Sequence, residues 1–227
     1  MVEKGRIELQ FERDFFNDRK YALKKEIIKR HVFEVVKWAS KFSGSSLLTG
    51  DGKKALDVGC AYGFSSSVLK SLGYDTCGVD VSAWGIKEAK DNSGGSFLVC
   101  DAQSNLPFSE DTFDLVTCFD VLEHLHSPLE AIRNMLDVCK GMGSVVCTTP
   151  NRTVEKPIRK ITRDLDETHV SVKSPAEWEK SIAKRMNCRL LKVETFSDVN
   201  AKTANRLLFR SFKMPKLGLT VRILVKK

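Results

Sequence analysis

The chain has 227 residues, of which 42% are hydrophobic and 29% are charged, a balance typical of a globular protein. A chain of this length can bury one sizeable core without disulfide or metal staples. No apolar run approaches the roughly 18 residues that a membrane span requires, and the first residues, Met1 to Lys4, open no apolar stretch. We therefore predict no membrane span and no signal peptide.

The charge is unevenly distributed along the chain, although the formal net charge is +8. Residues 51–150 contain 7 basic and 14 acidic side chains, whereas residues 202–227 contain eight basic side chains and no acidic one. An acidic centre argues against a duplex-binding surface across the whole chain, and a basic edge leaves room for an anionic substrate. A solvated basic face explains the same pattern equally well. We favour a small-molecule substrate, which could be anionic, over nucleic acid, and we leave monomer and homodimer open.

The cysteines indicate a reducing compartment. Their number is odd, no two form a Cys-x-x-Cys pair, and most lie in apolar, strand-like runs; they are Cys60, Cys77, Cys100, Cys118, Cys139, Cys147 and Cys188. Buried, reduced thiols are the simplest interpretation of this pattern. We therefore predict a cytoplasmic location.

The first fifty residues predict a helical cap. Apolar residues recur at helical spacing between Ile28 and Ala39, and Asn17-Asp18 could divide the region into two helices. Residues 44–52 are rich in glycine and serine and predict a loop.

From Lys53 onward, short apolar runs alternate with helical segments. We predict strands near 54–59, 75–80, 96–101, 113–119 and 143–148, with helices near 63–72, 83–91 and 128–140. Strands that alternate with helices form right-handed βαβ units and a parallel sheet.

The remainder of the chain is predicted to complete the same domain. A polar insertion covers 151–173, and two strands near 189–196 and 218–226 close the fold, with the segment 205–210 between them left unassigned. Ser127-Pro128 and Ser174-Pro175 each predict a helix start with a capping box. We expect a single domain over 1–227, with a cap at 1–50, a core at 51–150 and a substrate-side region at 151–227.

The strongest motif is Asp57-Val58-Gly59-Cys60-Ala61-Tyr62-Gly63, in which an apolar strand runs into a glycine-containing turn. Gly59 permits a tight turn and close approach of the backbone to a ligand. Gly63 would open a helix whose N-terminus favours a carboxylate or phosphate. The full dinucleotide pattern of three glycines is absent, since position 61 is alanine and position 66 is serine.

Further carboxylates follow the next strands. Asp80 ends the second predicted strand, where an acid can accept both hydroxyls of a ribose. Asp101 ends the third strand and could accept from an adenine amino group. The fourth strand ends at Cys118-Phe119-Asp120.

This ordered series resembles the class I S-adenosylmethionine-dependent methyltransferases, especially the group that includes ubiquinone and menaquinone biosynthesis enzymes. The resemblance is firm over about 50–150 and looser elsewhere, and Ala61 departs from the family's middle glycine. It implies an α/β fold: a Rossmann-like three-layer sandwich around a mostly parallel seven-stranded sheet with an antiparallel last strand. It also implies S-adenosylmethionine as cofactor and S-adenosylhomocysteine as product, bound by Asp57, Gly59, Cys60, Ala61, Gly63, Asp80, Val81, Asp101, Ala102 and Phe119.

The methyl transfer would be an in-line displacement in which the protein aligns nucleophile, methyl and sulfur. Two histidines are candidate catalytic bases: His124 follows the fourth strand, and His169 resembles a histidine that several such enzymes carry after a Thr-Pro-Asn segment. We expect His31 and His126 to be structural or exposed. No remote ligand that could complete a metal site with Glu123 and His124 is evident, so we predict no metal.

Several functions remain open. We favour methylation of a small molecule, at an oxygen, nitrogen or carbon that the sequence does not identify. The basic flanks leave an RNA or protein methyltransferase as the alternative, although the Asn/Asp-Pro-Pro-Tyr pattern of amino-methylating nucleic-acid enzymes is absent. A nicotinamide oxidoreductase and a cofactor-binding module without catalysis are the remaining hypotheses. The pocket should be roofed by the N-terminal helices, the loop after Thr149 and the segment 200–216, because ligands of such sheets bind beyond the strand C-termini.

Overall fold

A computed structural model describes residues 11–162, 168–202 and 207–227. The described part of the predicted N-terminal cap is helical: α1 covers Arg13–Asp18, a 3-10 turn covers Tyr21–Lys24 and α2 covers Lys25–Ser40. Residues 1–10 of the predicted cap lie outside the described residues. The predicted division at Asn17-Asp18 is confirmed, since α1 ends there. In α2 the buried residues follow the predicted spacing and pack on one face of the sheet. Among the described residues, no helix is both long and apolar enough to span a membrane.

The described residues form one eight-stranded sheet in the order β3-β2-β1-β4-β5-β8-β6-β7. The strands are β1 (Lys54–Val58), β2 (Asp75–Asp80), β3 (Ser96–Val99), β4 (Phe113–Phe119), β5 (Cys139–Pro150), β6 (Arg189–Lys202), β7 (Leu207–Lys213) and β8 (Thr220–Lys226). Strands β1 to β5 pair in parallel, and β8 is antiparallel to both β5 and β6. The predicted mostly parallel sheet with an antiparallel last strand is confirmed.

The predicted number of seven strands is wrong for this sheet. The additional strand is β7, which pairs antiparallel with β6 at the sheet edge and begins within the segment that the sequence left unassigned. Its side chains are half-buried or exposed. Only one face of β7 is partly covered, by α2, while Leu208 and Phe212 on the other face are exposed although they are apolar. The strand therefore lacks the clean apolar alternation by which strands are recognised.

Helices cover both faces of the sheet and make the predicted three layers. Besides the cap, they are α3 (Phe64–Ser71), α4 (Ala83–Ser93), α5 (Pro128–Val138), α6 (Arg152–Thr162) and α7 (Pro175–Arg185). Helices α2 and α3 pack on one face, against Leu115, Val146 and Leu224, whereas α5 and α7 pack on the other, against Val116, Val145 and Ile223. Successive residues of a strand point to opposite faces, so β4, β5 and β8 contribute to both cores.

The two predicted capping boxes have different outcomes. Ser174 caps α7 with a complete box, in which its hydroxyl accepts from the Glu177 N–H while the Glu177 carboxylate accepts from the Ser174 N–H. At α5 the predicted box is wrong, because Ser127 makes no side-chain capping hydrogen bond although Pro128 does occupy the first turn. The Ser127 N–H instead donates to the Gln103 side chain, which ties the helix start to the loop after β3.

Candidate active site

The loop after β1 is shaped by a close approach between two strand ends. Gly59 has a φ of +75°, and a Cβ added there would lie 2.1 Å from Cγ2 of Val121 in the turn after β4. A side chain at this position is therefore excluded by both conformation and space. Ala61, which stands where the family has its middle glycine, also has a positive φ, of 46°.

Asp80 at the end of β2 holds this loop in place. Its Oδ2 accepts from the backbone N–H of Ala61 at 2.8 Å, and its Oδ1 accepts from the N–H of Ser82 at 2.8 Å. Burial raises the pKa of Asp80, an effect that the two backbone hydrogen bonds oppose. A carboxylate has about four acceptor positions, so two remain for the hydroxyls of a ribose.

Three of the predicted cofactor residues support the loop from behind. Asp57 accepts hydrogen bonds from the hydroxyls of Ser66, at 2.6 Å, and Thr117, at 3.1 Å, and burial raises its pKa to about 6. The Cys60 side chain packs in a cluster with residues of α4 and β3. Gly63 lies against α4, where an added Cβ would be 3.1 Å from the Ala89 backbone. These three residues do not line the cavity described next.

A cavity of about 490 Å³ opens beyond the C-terminal ends of β1, β2 and β4. Seven predicted cofactor residues line it: Gly59, Ala61, Asp80, Val81, Asp101, Ala102 and Phe119. Asp101 also accepts from the backbone N–H of Gln103 at 2.9 Å, which is the turn-capping role that acidic residues often play. The cavity has the place and the lining expected of a nucleoside site in a parallel sheet.

The cap and the sheet extension roof the same cavity. Phe11, Phe15, Phe16 and Tyr21 line it from the N-terminal region, and Pro150, Asn200 and Phe209 line it from the far end of the sheet. Each of the three predicted roof segments thus contributes residues to the cavity lining. Residues 163–167 of the loop after Thr149 and residues 203–206 of the segment 200–216 lie outside the described residues. Tyr21 is stacked on Phe64, with ring centroids 5.6 Å apart, and its burial raises its pKa.

Four aromatic residues of the cap, named here the aromatic roof, were not predicted to line the cavity: Phe11, Phe15, Phe16 and Tyr21. The dense spacing of aromatic residues between Phe11 and Tyr21 was the available signal, but aromatic residues in a cap indicate core packing as readily as ligand binding. Only the fold shows that these rings lie over the strand ends.

The two predicted catalytic histidines lie together at this cavity. The rings of His124 and His169 have centroids 4.8 Å apart in an edge-to-face arrangement. Nδ1 of His124 contacts the Thr168 carbonyl oxygen at 3.1 Å, and Nδ1 of His169 contacts the Glu155 carboxylate at 2.5 Å.

Buried Glu123 completes a cluster with these histidines. One carboxylate oxygen of Glu123 and one ring nitrogen from each histidine lie within 4.8 Å of one another, a grouping that could hold a metal ion. Burial raises the pKa of Glu123 well above its ordinary value, and the nearby charge of Asp120 acts in the same direction. The prediction of no metal rested on the lack of a remote ligand, and that premise is wrong, since His169 is such a residue.

His126 is exposed and His31 is in a structural contact, and both outcomes agree with the prediction that these residues are structural or exposed. His31 lines the cavity, and its Nδ1 contacts the Asp198 carboxylate on β6. Asp198 also accepts from Arg222, a residue that is 1% exposed and whose pKa burial lowers to about 10. Burial alone would raise the pKa of Asp198, but its contacts with His31, Ser211 and Arg222 lower it. One residue of the basic C-terminal stretch is therefore an internal counter-charge.

Comparison with known proteins identifies the class of this chain. A family model described as a methyltransferase domain matches residues 28–193. The chain therefore belongs to this methyltransferase family, in agreement with the resemblance seen in its motifs.

Among named relatives, the ubiquinone biosynthesis O-methyltransferase of Actinobacillus pleuropneumoniae serotype 7 is 30% identical over 113 residues, covering 46% of this chain and 48% of the relative. The mitochondrial ubiquinone biosynthesis O-methyltransferase of Schizosaccharomyces pombe is 32% identical over 117 residues, covering 49% of this chain and 43% of the relative. The chain thus spans about half the length of the curated relatives it matches.

Solved structures show the same fold at low sequence identity. A methyltransferase of Thermotoga maritima, described as a possible histamine N-methyltransferase, is 15% identical with a TM-score of 0.72 and covers 97% of this chain and 99% of its own. Magnesium protoporphyrin IX methyltransferase of Synechocystis PCC 6803, solved with bound S-adenosylhomocysteine, is 17% identical with a TM-score of 0.63, covering 95% and 97%. The fold is that of a class I methyltransferase.

Proposed function

We propose that this protein is an S-adenosylmethionine-dependent methyltransferase (class 2.1.1) that methylates a hydroxyl group of a small molecule. The observation that carries the proposal is a cavity lined both by the strand-tip residues Asp80 and Asp101 and by the aromatic residues of the N-terminal cap. The first part suits the adenosyl group, and the second suits an acceptor. The O-methyltransferase names of the relatives favour oxygen over nitrogen or carbon as the methylated atom.

The cofactor would lie across the ends of β1, β2 and β4. Asp80 would accept from the ribose hydroxyls, Asp101 and Ala102 would face the adenine edge beside Val81, and Phe119 would lie beside the sulfonium. Gly59 and Ala61 would contact the methionine part through their backbone. Asp57, Cys60 and Gly63 would act indirectly, by holding that backbone in place.

The reaction then needs alignment and loss of one proton. An oxygen lone pair of the acceptor attacks the methyl carbon as the carbon–sulfur bond breaks, and the electron pair of that bond stays on sulfur. His124 and His169 lie at the acceptor end, where they would act on the reacting hydroxyl.

The lining favours a neutral, partly aromatic acceptor. Its described carboxylates, which are Asp80, Asp101, Asp120, Glu123 and Asp198, outnumber Arg19 and Lys24 of the cap. An anionic acceptor, which the net charge of the chain allowed, would meet repulsion there. The helical roof also supports a small molecule over an RNA or protein chain, which would need an open groove.

The remaining expectations are part of the same proposal. We propose that 1–227 form one methyltransferase domain, since the cap and the sheet share the cavity. The seven cysteines have free thiols, which supports a cytoplasmic setting. Monomer and homodimer both remain compatible with the proposed site.

Calorimetry with S-adenosylmethionine, S-adenosylhomocysteine and NAD tests the cofactor. We expect the first two to bind and NAD not to bind; binding of NAD alone would overturn the proposal. A panel of phenols and alcohols, incubated with cofactor labelled in its methyl group, then tests the acceptor class. Strong, salt-dependent binding of RNA together with RNA labelling would favour the polymer alternative.

A further inference from the structure

We propose that Glu123, His124 and His169 bind a divalent first-row metal ion at the acceptor end of the cavity. The inference rests on the proposed function, because an ion at this position would bind the hydroxyl oxygen of the methyl acceptor. The three residues are named below as the metal cluster.

The donor set of the metal cluster suits such an ion. Two imidazoles and one carboxylate form a ligand set that divalent zinc, cobalt and iron accept, and three protein ligands leave further positions open. Their ligand atoms lie within 4.8 Å of one another, compared with about 3.4 Å between the ligand atoms of a tetrahedral ion with bonds of about 2.1 Å. The side chains would therefore move inward by about 1 Å to bind the ion.

Glu123 supplies an independent observation. The residue is 1% exposed, and its Oε2 has no hydrogen-bond partner in the described part of the chain. A buried carboxylate oxygen without a partner is destabilising, and a bound metal ion is one of the groups that compensate it. Since Glu123 lines the cavity, an ion bound to it would be within reach of an acceptor.

The two histidines are anchored in the way that metal-ligating histidines usually are. Such a residue commonly donates one ring N–H to a carbonyl or carboxylate, which orients the ring and leaves the lone pair on the other nitrogen. Here the Thr168 carbonyl contacts Nδ1 of His124, and the Glu155 carboxylate contacts Nδ1 of His169. Glu155 is therefore a positioning residue in this arrangement.

Backbone contacts hold the distant ligand in register. Ser171 donates its N–H to the Glu123 carbonyl at 2.9 Å, which joins the segment that carries His169 to the turn after β4. Lys173 is paired with Asn151 at the end of β5. The cluster is thus assembled by the fold from parts 45 residues apart in the chain.

The ion would activate the acceptor without a covalent enzyme intermediate. A hydroxyl bound to a divalent ion loses its proton to water more readily, because the cation stabilises the oxyanion. The resulting oxyanion attacks the methyl carbon, and the electron pair of the broken carbon–sulfur bond remains on sulfur. The histidines would act as ligands, so neither would need to accept the proton.

Metal binding can be measured on the whole chain without any acceptor. After removal of metal with a chelator, we expect one equivalent of Co²⁺ to bind, as seen by calorimetry and by visible absorption without a sulfur-to-cobalt band. The variants Glu123→Gln and His169→Gln should each weaken Co²⁺ binding by at least about 100-fold, and Glu155→Gln should weaken it less, by roughly tenfold, as outer partners of ligands do.

His126→Gln is the matched control, since His126 is an exposed histidine two residues from His124. It should bind Co²⁺ like the parent chain. No Co²⁺ binding, or binding that Glu123→Gln and His169→Gln both leave unchanged, would overturn the metal site. If Glu123→Gln does not fold, His169→Gln alone decides, because its side chain is less buried.

Titration with S-adenosylhomocysteine separates this inference from the proposed function. Each folded variant should still bind S-adenosylhomocysteine with the affinity of the parent chain, because the cluster lies beyond the adenosyl part. A parent chain that binds S-adenosylhomocysteine but does not bind Co²⁺ would overturn the metal site alone. Failure of the parent chain to bind S-adenosylhomocysteine would overturn the proposed function itself.

Discussion

Ala61 donates its backbone N–H to Oδ2 of Asp80 at 2.8 Å, which joins the loop after β1 to the tip of β2. Both residues line the cavity. Ala61 has a left-handed conformation, which disfavours a residue with a Cβ by roughly 1–2 kcal/mol. The hydrogen bond from Ala61 to Asp80 therefore offsets part of the conformational strain in this loop. The same carboxylate would accept hydrogen bonds from the ribose hydroxyls of the cofactor.

Replacement of Asp80 by asparagine should weaken cofactor binding. Each oxygen of Asp80 accepts from a backbone N–H, and an amide can replace only one of these acceptors. A hydrogen bond to a charged group contributes about 1.5–3 kcal/mol, so we expect the Kd for S-adenosylhomocysteine to rise at least about tenfold, as measured by calorimetry.

Asp75→Asn is the control for this variant, because Asp75 is exposed at the opposite end of β2 and loses the same charge. Its Kd should match that of the parent chain. Equal affinity in Asp80→Asn and Asp75→Asn would contradict the ribose assignment.

Alanine at Gly59 should be more harmful than alanine at Gly52. Both glycines have a φ near +70°, but an added Cβ meets Val121 at Gly59 and nothing within 4 Å at Gly52. The conformational strain is shared, at roughly 1–2 kcal/mol, while the clash adds about 1–3 kcal/mol at Gly59 alone. Denaturant unfolding measures the difference.

The same clash should be relieved by a second substitution. The double variant Gly59→Ala/Val121→Ala removes the Val121 methyl groups and should unfold at a higher denaturant concentration than Gly59→Ala. No recovery would show that the space at Val121 is not what requires a glycine.

Asp57 should make stability depend on pH near 6. Its pKa in the folded chain is about 6, raised by burial against the opposing hydrogen bonds of Ser66 and Thr117, and it lies near 3.9 in an unfolded chain. The folded state thus binds the proton more readily, so this residue stabilises the fold as pH falls from above 6 towards 4, by about 3 kcal/mol.

The measurement is the free energy of unfolding from pH 4.5 to 8, compared between the parent chain and Asp57→Asn. The variant carries no titrating group at this position, so the parent chain should gain stability relative to the variant as the pH falls below 6. A difference that is constant over this range would contradict the raised pKa.

Ser174→Ala should destabilise the protein, whereas Ser127→Ala should have little effect. Both serines precede a proline at a helix start, but only Ser174 accepts a capping hydrogen bond. Loss of such a cap typically destabilises by about 1 kcal/mol. Thermal unfolding of the two variants is the test, and equal shifts in Tm would be inconsistent with the cap geometry.

The parts of the fold that are buried on both faces were predictable. Strands β1, β2 and β4 begin and end within a residue of their predicted positions, because short runs that are largely apolar and lie between turn residues are typical of buried parallel strands. Asp80 and Asp101 were found for a related reason, since parallel strands place their C-terminal residues at one edge. The exposed edge strand β7 has no such pattern and was missed.

Sequence by itself determined the class of this protein: the order of strands, glycines and strand-tip acids defines a nucleoside site, because each signal is local and the topology of a parallel sheet aligns them. Only the tertiary structure decided which distant side chains meet. It brought His169 to Glu123 and His124, and His31 and Arg222 to Asp198. Such contacts depend on how loops and edge strands fold back over the sheet, and no periodicity along the chain records that geometry.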